Sequence, residues 1–131
     1  MKTLNAIIER GEDSFYAYVE QIDGCVAGGV TYSEVKYNLE EMIRIFIDED
    51  PSLTSKYANG FRLKFEVSLD SVFELLPEVN VSQLAKLGNL NPGLLRQYVS
   101  GSKKASESQA KRVMQAIDQL INKLSSISLT A

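Results

Sequence analysis

The spacing of apolar residues changes partway along this chain, and that change limits the folds open to it. Before residue 68 apolar residues alternate with polar ones in several short segments, as in strands with one buried face, and only the stretch 31–50 has helical spacing. From Leu69 onward they recur at three- and four-residue intervals, as on the buried stripe of a helix. A chain of 131 residues is long enough for two small domains. We therefore predict an α+β protein with domains at residues 1–68 and 69–131.

The first domain is predicted to have the order β-β-β-α-β. Strands are expected at 3–9, 14–20 and, after Asp23-Gly24, through 25–27. Thr31 and Glu34 form a capping-box pattern that opens a helix ending near 48–50, before Pro51. A loop rich in Ser, Thr and Asn closes on Gly60 and leads to a strand at 61–67. This order predicts a sheet with a helix on one face.

The second domain is predicted to be all-α, with helices at 69–76, 81–88, 92–99 and 107–124. Asn80 and Asn91 are placed to cap the second and third helices, and Pro92 suits a first helical turn. Between those helices, Gly88-Asn89 supplies residues that tolerate the left-handed conformation of a sharp turn. The second and third helices are therefore predicted to form a repressor-like helix-turn-helix. A plain four-helix bundle with a tight turn is the alternative.

The polar side of the third helix predicts binding to double-stranded operator DNA. A helix-turn-helix sets its second helix in the major groove, where residues near the helix N-terminus reach base edges. We expect Gln97 to contact a base, Arg96 a base or a phosphate, and the lysines after the helix phosphates. Gly93 stands where a base-reading side chain is expected. The predicted contact residues are Ser82, Asn91, Gly93, Arg96, Gln97, Lys103 and Lys104.

Two copies are expected on a palindromic site, because symmetric pairing doubles the base contacts of one helix-turn-helix. We predict a homodimer or tetramer. The last helix carries a broad apolar stripe over 110–124, part of which covers the bundle while the rest is available to pair two chains. The exposed edge of the first domain's sheet is a second candidate surface.

The charge of the chain is unevenly distributed. Residues 1–79 carry seven basic against fifteen acidic residues, a net charge of −8. Residues 80–131 carry seven basic against two acidic residues, a net charge of +5. A polyanion is therefore the expected partner of the C-terminal part, and a basic protein the expected partner of the N-terminal part.

The residue types argue against an enzyme, a metal site or a cofactor. The chain has no histidine, which removes the commonest general base and metal ligand, and Cys25 is its single cysteine. Asp23, Glu34 and the acidic run at 48–50 are expected in a turn, a cap and a helix end. No apolar run is long enough to span a membrane, and the N-terminus lacks a signal-peptide pattern, so we predict a cytoplasmic protein.

Both halves resemble the HicB antitoxin family. The first half does so through Tyr16-Ala17-Tyr18-Val19, then residues 23–29 (DGCVAGG) and 31–34 (TYSE). The second half does so through residues 84–86 (LAK), 91–98 (NPGLLRQY) and Gly101. The resemblance implies a cut-down RNase H-like first domain without catalysis. It also implies a transcriptional repressor that neutralises a small basic HicA-like toxin, an RNA-cleaving protein.

The toxin is expected to bind the exposed faces of the sheet and its flanking loops. Tyr16, Tyr18, Glu20 and Asp23 lie near that surface in the predicted fold, where tyrosines offer contact area and carboxylates can meet basic side chains. Two other functions remain open. One is a stand-alone helix-turn-helix regulator whose first domain binds another protein or a small ligand; the less favoured one is a metal-dependent nuclease.

Overall fold

A computed structural model describes all 131 residues, and they form two compact units, Met1–Ser68 and Leu69–Ala131. Unit 1 contains the strands β1 (Lys2–Arg10), β2 (Phe15–Val19), β3 (Val26–Gly29) and β4 (Phe61–Val67) and the helices α1 (Tyr32–Glu49) and α2 (Pro51–Lys56). Unit 2 contains α3 (Leu69–Leu75), α4 (Val81–Leu87), α5 (Pro92–Ser100) and α6 (Glu107–Ser125). The α+β class is confirmed. No helix combines the length and the apolar character that crossing a bilayer requires.

The strands of unit 1 form one mixed sheet in the order β3-β2-β1-β4. β1 pairs antiparallel with β2, which pairs antiparallel with β3, whereas β4 lies parallel to β1. Leu4 lies opposite Leu63, and Ile8 lies opposite both Ala17 and Val67. Because side chains alternate along a strand, these residues point to one face of the sheet.

Helix α1 packs on that face, close to β3 and β2. Its Val35, Leu39 and Ile43 are fully buried, as the helical spacing of the sequence predicts. Gly29 permits the close approach of strand and helix, since a Cβ atom there would lie 2.8 Å from the Cβ of Glu34 and from the amide nitrogen of Val35. The opposite face of the sheet, which we call the open face, has no helix of unit 1 against it.

The segment 51–56 differs from the sequence-based expectation, which placed a loop there. It forms α2, a helix of six residues. The Oδ1 atom of Asp50 accepts hydrogen bonds from the amide of Ser52 at 2.9 Å and from its hydroxyl at 2.8 Å, and Pro51 occupies the first turn. These bonds hold the pKa of Asp50 below its usual value. An acidic cap followed by proline is a helix-start signal that the polar composition of the segment obscured.

Unit 2 folds around a core drawn from α3, α4, α5 and α6. Asn80, Asn91 and Ser106 cap α4, α5 and α6, each accepting a hydrogen bond from the amide three residues later. The fully or nearly buried core residues are Phe73, Leu84, Ala85, Leu95, Tyr98, Val113 and Ala116. The predicted caps Asn80 and Asn91 are confirmed.

Two residues of the turn between α4 and α5 have different structural roles. Asn89 alone takes the left-handed conformation, with φ of 55°. Gly88 has φ of −88°, which other residues adopt readily. It must be small for another reason, because a Cβ there would lie 2.4 Å from the Cβ of Ala116 on α6. The expectation that both residues serve the left-handed turn was therefore wrong for Gly88, which allows the turn to touch α6.

Candidate nucleic-acid interface and partner surface

Helix α5 presents a polar face made by residues at helical spacing. Arg96, Gln97 and Ser100 are exposed along it, and half-buried Gly93 lies at its N-terminal end. The opposite side of the same helix holds Leu95 and Tyr98 in the core. Because the apolar side is fixed in the core, the direction of the polar face is fixed as well.

The guanidinium of Arg96 reaches back to α4. Its Nη1 atom donates a hydrogen bond to the Ser82 hydroxyl at 2.9 Å. Gly93 lies nearby: a Cβ there would be at an ordinary contact distance of 3.9 Å from the Nη2 atom of Arg96 and at a tighter 3.3 Å from the Oδ1 atom of Asn91. Gly93 thus provides space for the Asn91 cap, which accepts a hydrogen bond from the Leu94 amide at 3.1 Å.

The loop after α5 folds back onto the last turn of the helix. The backbone carbonyl of Gln97 accepts hydrogen bonds from the Ser100 hydroxyl at 3.1 Å, the Ser102 hydroxyl at 3.3 Å and the Lys103 amide at 3.2 Å. Gly101 ends the helix in the left-handed conformation, with φ of 79°. The side chains of Lys103 and Lys104 are exposed beside this turn. The structure thus brings Ser82 to Arg96, and Lys103 to Gln97.

Arg112 is a residue of this unit whose role the sequence did not reveal. Its Nη2 atom donates a hydrogen bond to the backbone carbonyl of Asn89 at 3.3 Å. The bond links α6 to the left-handed residue of the α4–α5 turn. Because Arg112 lies 23 positions from Asn89, only the packing of α6 against Gly88 brings the two together.

The open face of unit 1 holds two of the four residues expected to bind a toxin, joined by a residue that the sequence analysis did not select. The hydroxyls of Tyr16 and Tyr18 donate hydrogen bonds to the two carboxylate oxygens of Glu9, at 2.9 and 3.4 Å. The hydrogen bond to Glu9, followed by its charge, raises the pKa of Tyr16; burial, followed by that charge, raises the pKa of Tyr18. The pairing of β1 with β2 sets Glu9 opposite Tyr16, so the strand register was the signal that identified it.

Glu20 and Asp23 lie outside this cluster. Glu20 follows the end of β2, and its charge contributes to the raised pKa of Tyr18. Asp23 is exposed in the turn between β2 and β3. The open face also bears Arg62 and Lys64, which β4 places opposite Thr3 and Asn5. Glu66 follows them on the same side of β4, opposite Ile7, so this strand presents both basic and acidic side chains on the open face.

Negative charge also collects on the outer side of α1. This helix carries five acidic residues against two basic ones. Arg44 pairs there with Glu41 at 2.8 Å and with Glu40 at 4.0 Å, and its guanidinium lies 5.9 Å from the centre of the Phe61 ring.

No group of three or more His, Cys, Asp or Glu side chains is arranged to hold a metal ion. Cys25 is fully buried, and burial raises the pKa of its thiol to about 11.

Comparison with known proteins shows similarity to a curated protein over part of the chain. The chain is 35% identical over 46 residues to a UPF0150 protein of Helicobacter pylori (strain J99 / ATCC 700824). The match covers 35% of this chain and 64% of the relative, so it spans just under two thirds of that protein. No protein-family model and no solved structure matches the chain.

Proposed function

We propose that this protein is a DNA-binding transcriptional repressor and an antitoxin that neutralises a small basic HicA-like toxin and regulates its own operon. The observation that carries the DNA-binding part is the α4–turn–α5 unit, whose rigid core fixes the direction of the exposed Arg96 and Gln97. The antitoxin part is supported by the resemblance to HicB proteins and by the similarity to a UPF0150 protein, a family related to HicB-like toxin–antitoxin proteins. The protein acts by binding and not by catalysis.

In the proposed DNA complex α5 lies in the major groove. Gln97 reads a base, and Arg96 leaves Ser82 to contact a base or a phosphate. Lys103 and Lys104, held next to the last turn of α5, contact phosphates.

The test compares Gln97→Ala with Lys104→Ala in binding assays on operator and on unrelated DNA at several salt concentrations. Gln97→Ala is expected to weaken operator binding by roughly 1–3 kcal/mol and to relax sequence preference. Lys104→Ala is expected to weaken binding to all DNA similarly and to reduce the salt slope by about one unit. An unchanged operator preference in Gln97→Ala would show that α5 is not the recognition helix.

In the proposed toxin complex unit 1 binds through the part of its open face that carries Glu9, Tyr16 and Tyr18. Glu9, Tyr16 and Tyr18 form a hydrogen-bonded cluster there, with the charge of Glu20 close by. Tyrosine rings offer a large contact area at low entropic cost, and the carboxylates attract a basic protein. The sheet order β3-β2-β1-β4, with β4 parallel to β1, supports the cut-down RNase H-like arrangement that the HicB resemblance implies.

The test is co-expression of the full chain with the product of the adjacent gene. The wild-type chain is expected to restore growth and to co-purify with a small basic protein. Tyr16→Ala/Tyr18→Ala is expected to lose at least tenfold in affinity for that protein. Tyr37→Ala is the matched control, because Tyr37 is an exposed tyrosine on α1, away from the open face. Equal effects of both variants would refute the assignment of the open face.

A stand-alone regulator is the second candidate. It shares the DNA-binding unit, and it becomes the better description if operator binding is found and no basic protein co-purifies. Metal-dependent cleavage of RNA by the pure protein would favour the third candidate, a nuclease.

A further inference from the structure

Helix α6 carries apolar residues on two adjacent sides. Its inner side contributes Val113 and Ala116 to the core of unit 2. Its outer side leaves Met114 and Ile121 each 52% exposed and Leu124 63% exposed. A surface helix that packs on one core ordinarily has a single apolar stripe. The second, exposed stripe of α6, which we call the outer stripe, therefore indicates an interaction surface.

The outer stripe has the spacing of a coiled-coil seam. Its members follow one another at intervals of four, three, four and three residues, which are the a and d positions of a heptad repeat. They are Ala110, Met114, Ile117, Ile121 and Leu124, of which Ala110 and Ile117 are half-buried and Ile117 also packs against the core of unit 2. Lys111 and Asp118 each follow a d residue and occupy the flanking e positions. Both are exposed, they carry opposite charges, and they lie one heptad apart.

We propose that α6 pairs antiparallel with α6 of a second copy of this chain. Met114 then lies opposite Ile117 of the second copy, and Ala110 lies opposite Ile121. In this register the e positions of the two helices meet, so Lys111 faces Asp118 of the second copy. Two-fold symmetry repeats the contact, which gives two ion pairs in one self-complementary interface.

Charge selects this register over its neighbour. An antiparallel pair shifted by one heptad sets Met114 opposite Leu124, and it places Asp118 against Asp118 of the second copy. Two carboxylates side by side repel, whereas the proposed register opposes a lysine to each aspartate. The pairing deepens the proposed function, which needs two copies on a two-fold operator, but it is measured without DNA.

Sedimentation equilibrium on the full chain tests the surface. The wild-type chain is expected to dimerise at micromolar concentration, and Ile121→Glu is expected to weaken self-association at least tenfold, because it buries a charge in the seam. Gln119→Glu is the matched control, since it adds the same charge to an exposed position of α6 away from the seam, and its dimer is expected to be unchanged. A monomeric wild-type chain, or equal behaviour of the two variants, overturns the proposal.

Charge exchange tests the register. Lys111→Glu and Asp118→Lys are each expected to weaken the dimer about fivefold, and the double variant is expected to return to within about twofold of the wild type. Asp118→Asn distinguishes the two registers, since it weakens the proposed dimer and strengthens one in which the carboxylates meet. A strengthened dimer or a failure of the double variant to recover overturns the proposed register. An intact dimer that binds no operator would refute the DNA-binding function and leave the pairing standing.

Discussion

Gly88→Ala is expected to destabilise unit 2, because the turn between α4 and α5 touches α6 with no space for a methyl group. The added Cβ would lie 2.4 Å from the Cβ of Ala116 and 3.3 Å from its Cα. Carbon atoms in contact prefer about 3.5–4.0 Å, so the turn and the helix must separate by more than about 1 Å. Ala116 is fully buried, so it cannot move into solvent.

The expected magnitude is a difference between two effects. Overpacking a core by one methyl group costs about 1–3 kcal/mol. Alanine also lowers the conformational entropy of the unfolded chain. Where alanine can adopt the native backbone conformation, as at Gly88, this stabilises the folded state by about 0.4–1 kcal/mol. The midpoints of these two ranges differ by about 1.3 kcal/mol, so we expect the free energy of unfolding to fall by about 1–2 kcal/mol. For a unit of this size that lowers the Tm by roughly 5–15 °C.

The assay is thermal and urea unfolding followed by circular dichroism, applied to a double-mutant cycle. Ala116→Gly removes the opposing methyl group and costs about 1 kcal/mol through helix propensity. Gly88→Ala/Ala116→Gly should be less destabilised than the sum of the single variants, by at least about 1 kcal/mol. Ala110→Gly is the matched control: it makes the same change on the same helix away from Gly88, and its effect should add to that of Gly88→Ala. Additivity within about 0.5 kcal/mol in both cycles would refute the contact.

Two further predictions concern Arg112 and Cys25. Arg112→Ala removes the donor to the Asn89 carbonyl and is expected to lower the free energy of unfolding by about 1 kcal/mol. Gln115→Ala, a truncation at an exposed position of the same helix, is the control. A loss of equal size in Gln115→Ala would contradict a stabilising role of the bond from Arg112 to Asn89. Burial raises the pKa of the Cys25 thiol from 9.0 to about 11, so the folded state binds the thiol proton more tightly than the unfolded state does. The contribution of this proton to the free energy of unfolding is therefore lost as the pH rises from about 9 to about 11. Between about pH 9 and 11 the stability of the wild type should therefore fall more steeply than that of Cys25→Ala, by up to about 1.4 kcal/mol per pH unit, and parallel pH profiles in denaturant titrations would contradict this.

Local signals in the sequence predicted much of the fold. Thr31 and Asn91 cap helices through bonds to amides three residues away, so the pattern and the structure involve the same few residues. The α2 helix was not predicted because it is short and polar, and the cap Asp50 and Pro51 in the first turn are the residues that indicate it. Short helices depend on their ends more than on an apolar stripe.

The contacts of the candidate sites were harder to predict because they join distant parts of the chain. The bond from Arg112 to Asn89 depends on how α6 packs on the turn, which no local pattern encodes. The bond from Arg96 to Ser82 depends on the angle between α4 and α5. Sequence spacing identified Arg96 as exposed, but it gave no reason for Gly93, whose small size leaves space for the side chain of the Asn91 cap.

The position of the first strand has a consequence for synthesis of the protein on the ribosome. β1 is made first, yet it lies inside the sheet, between β2, which follows closely, and β4, which ends at Val67. Until that residue has been added, the nascent chain exposes one edge of β1, with unpaired backbone groups that can template aggregation. Closing so long a loop is also a slow step in folding. Translation that stalls before β4 is complete therefore leaves a fragment with an open sheet edge that recruits other chains.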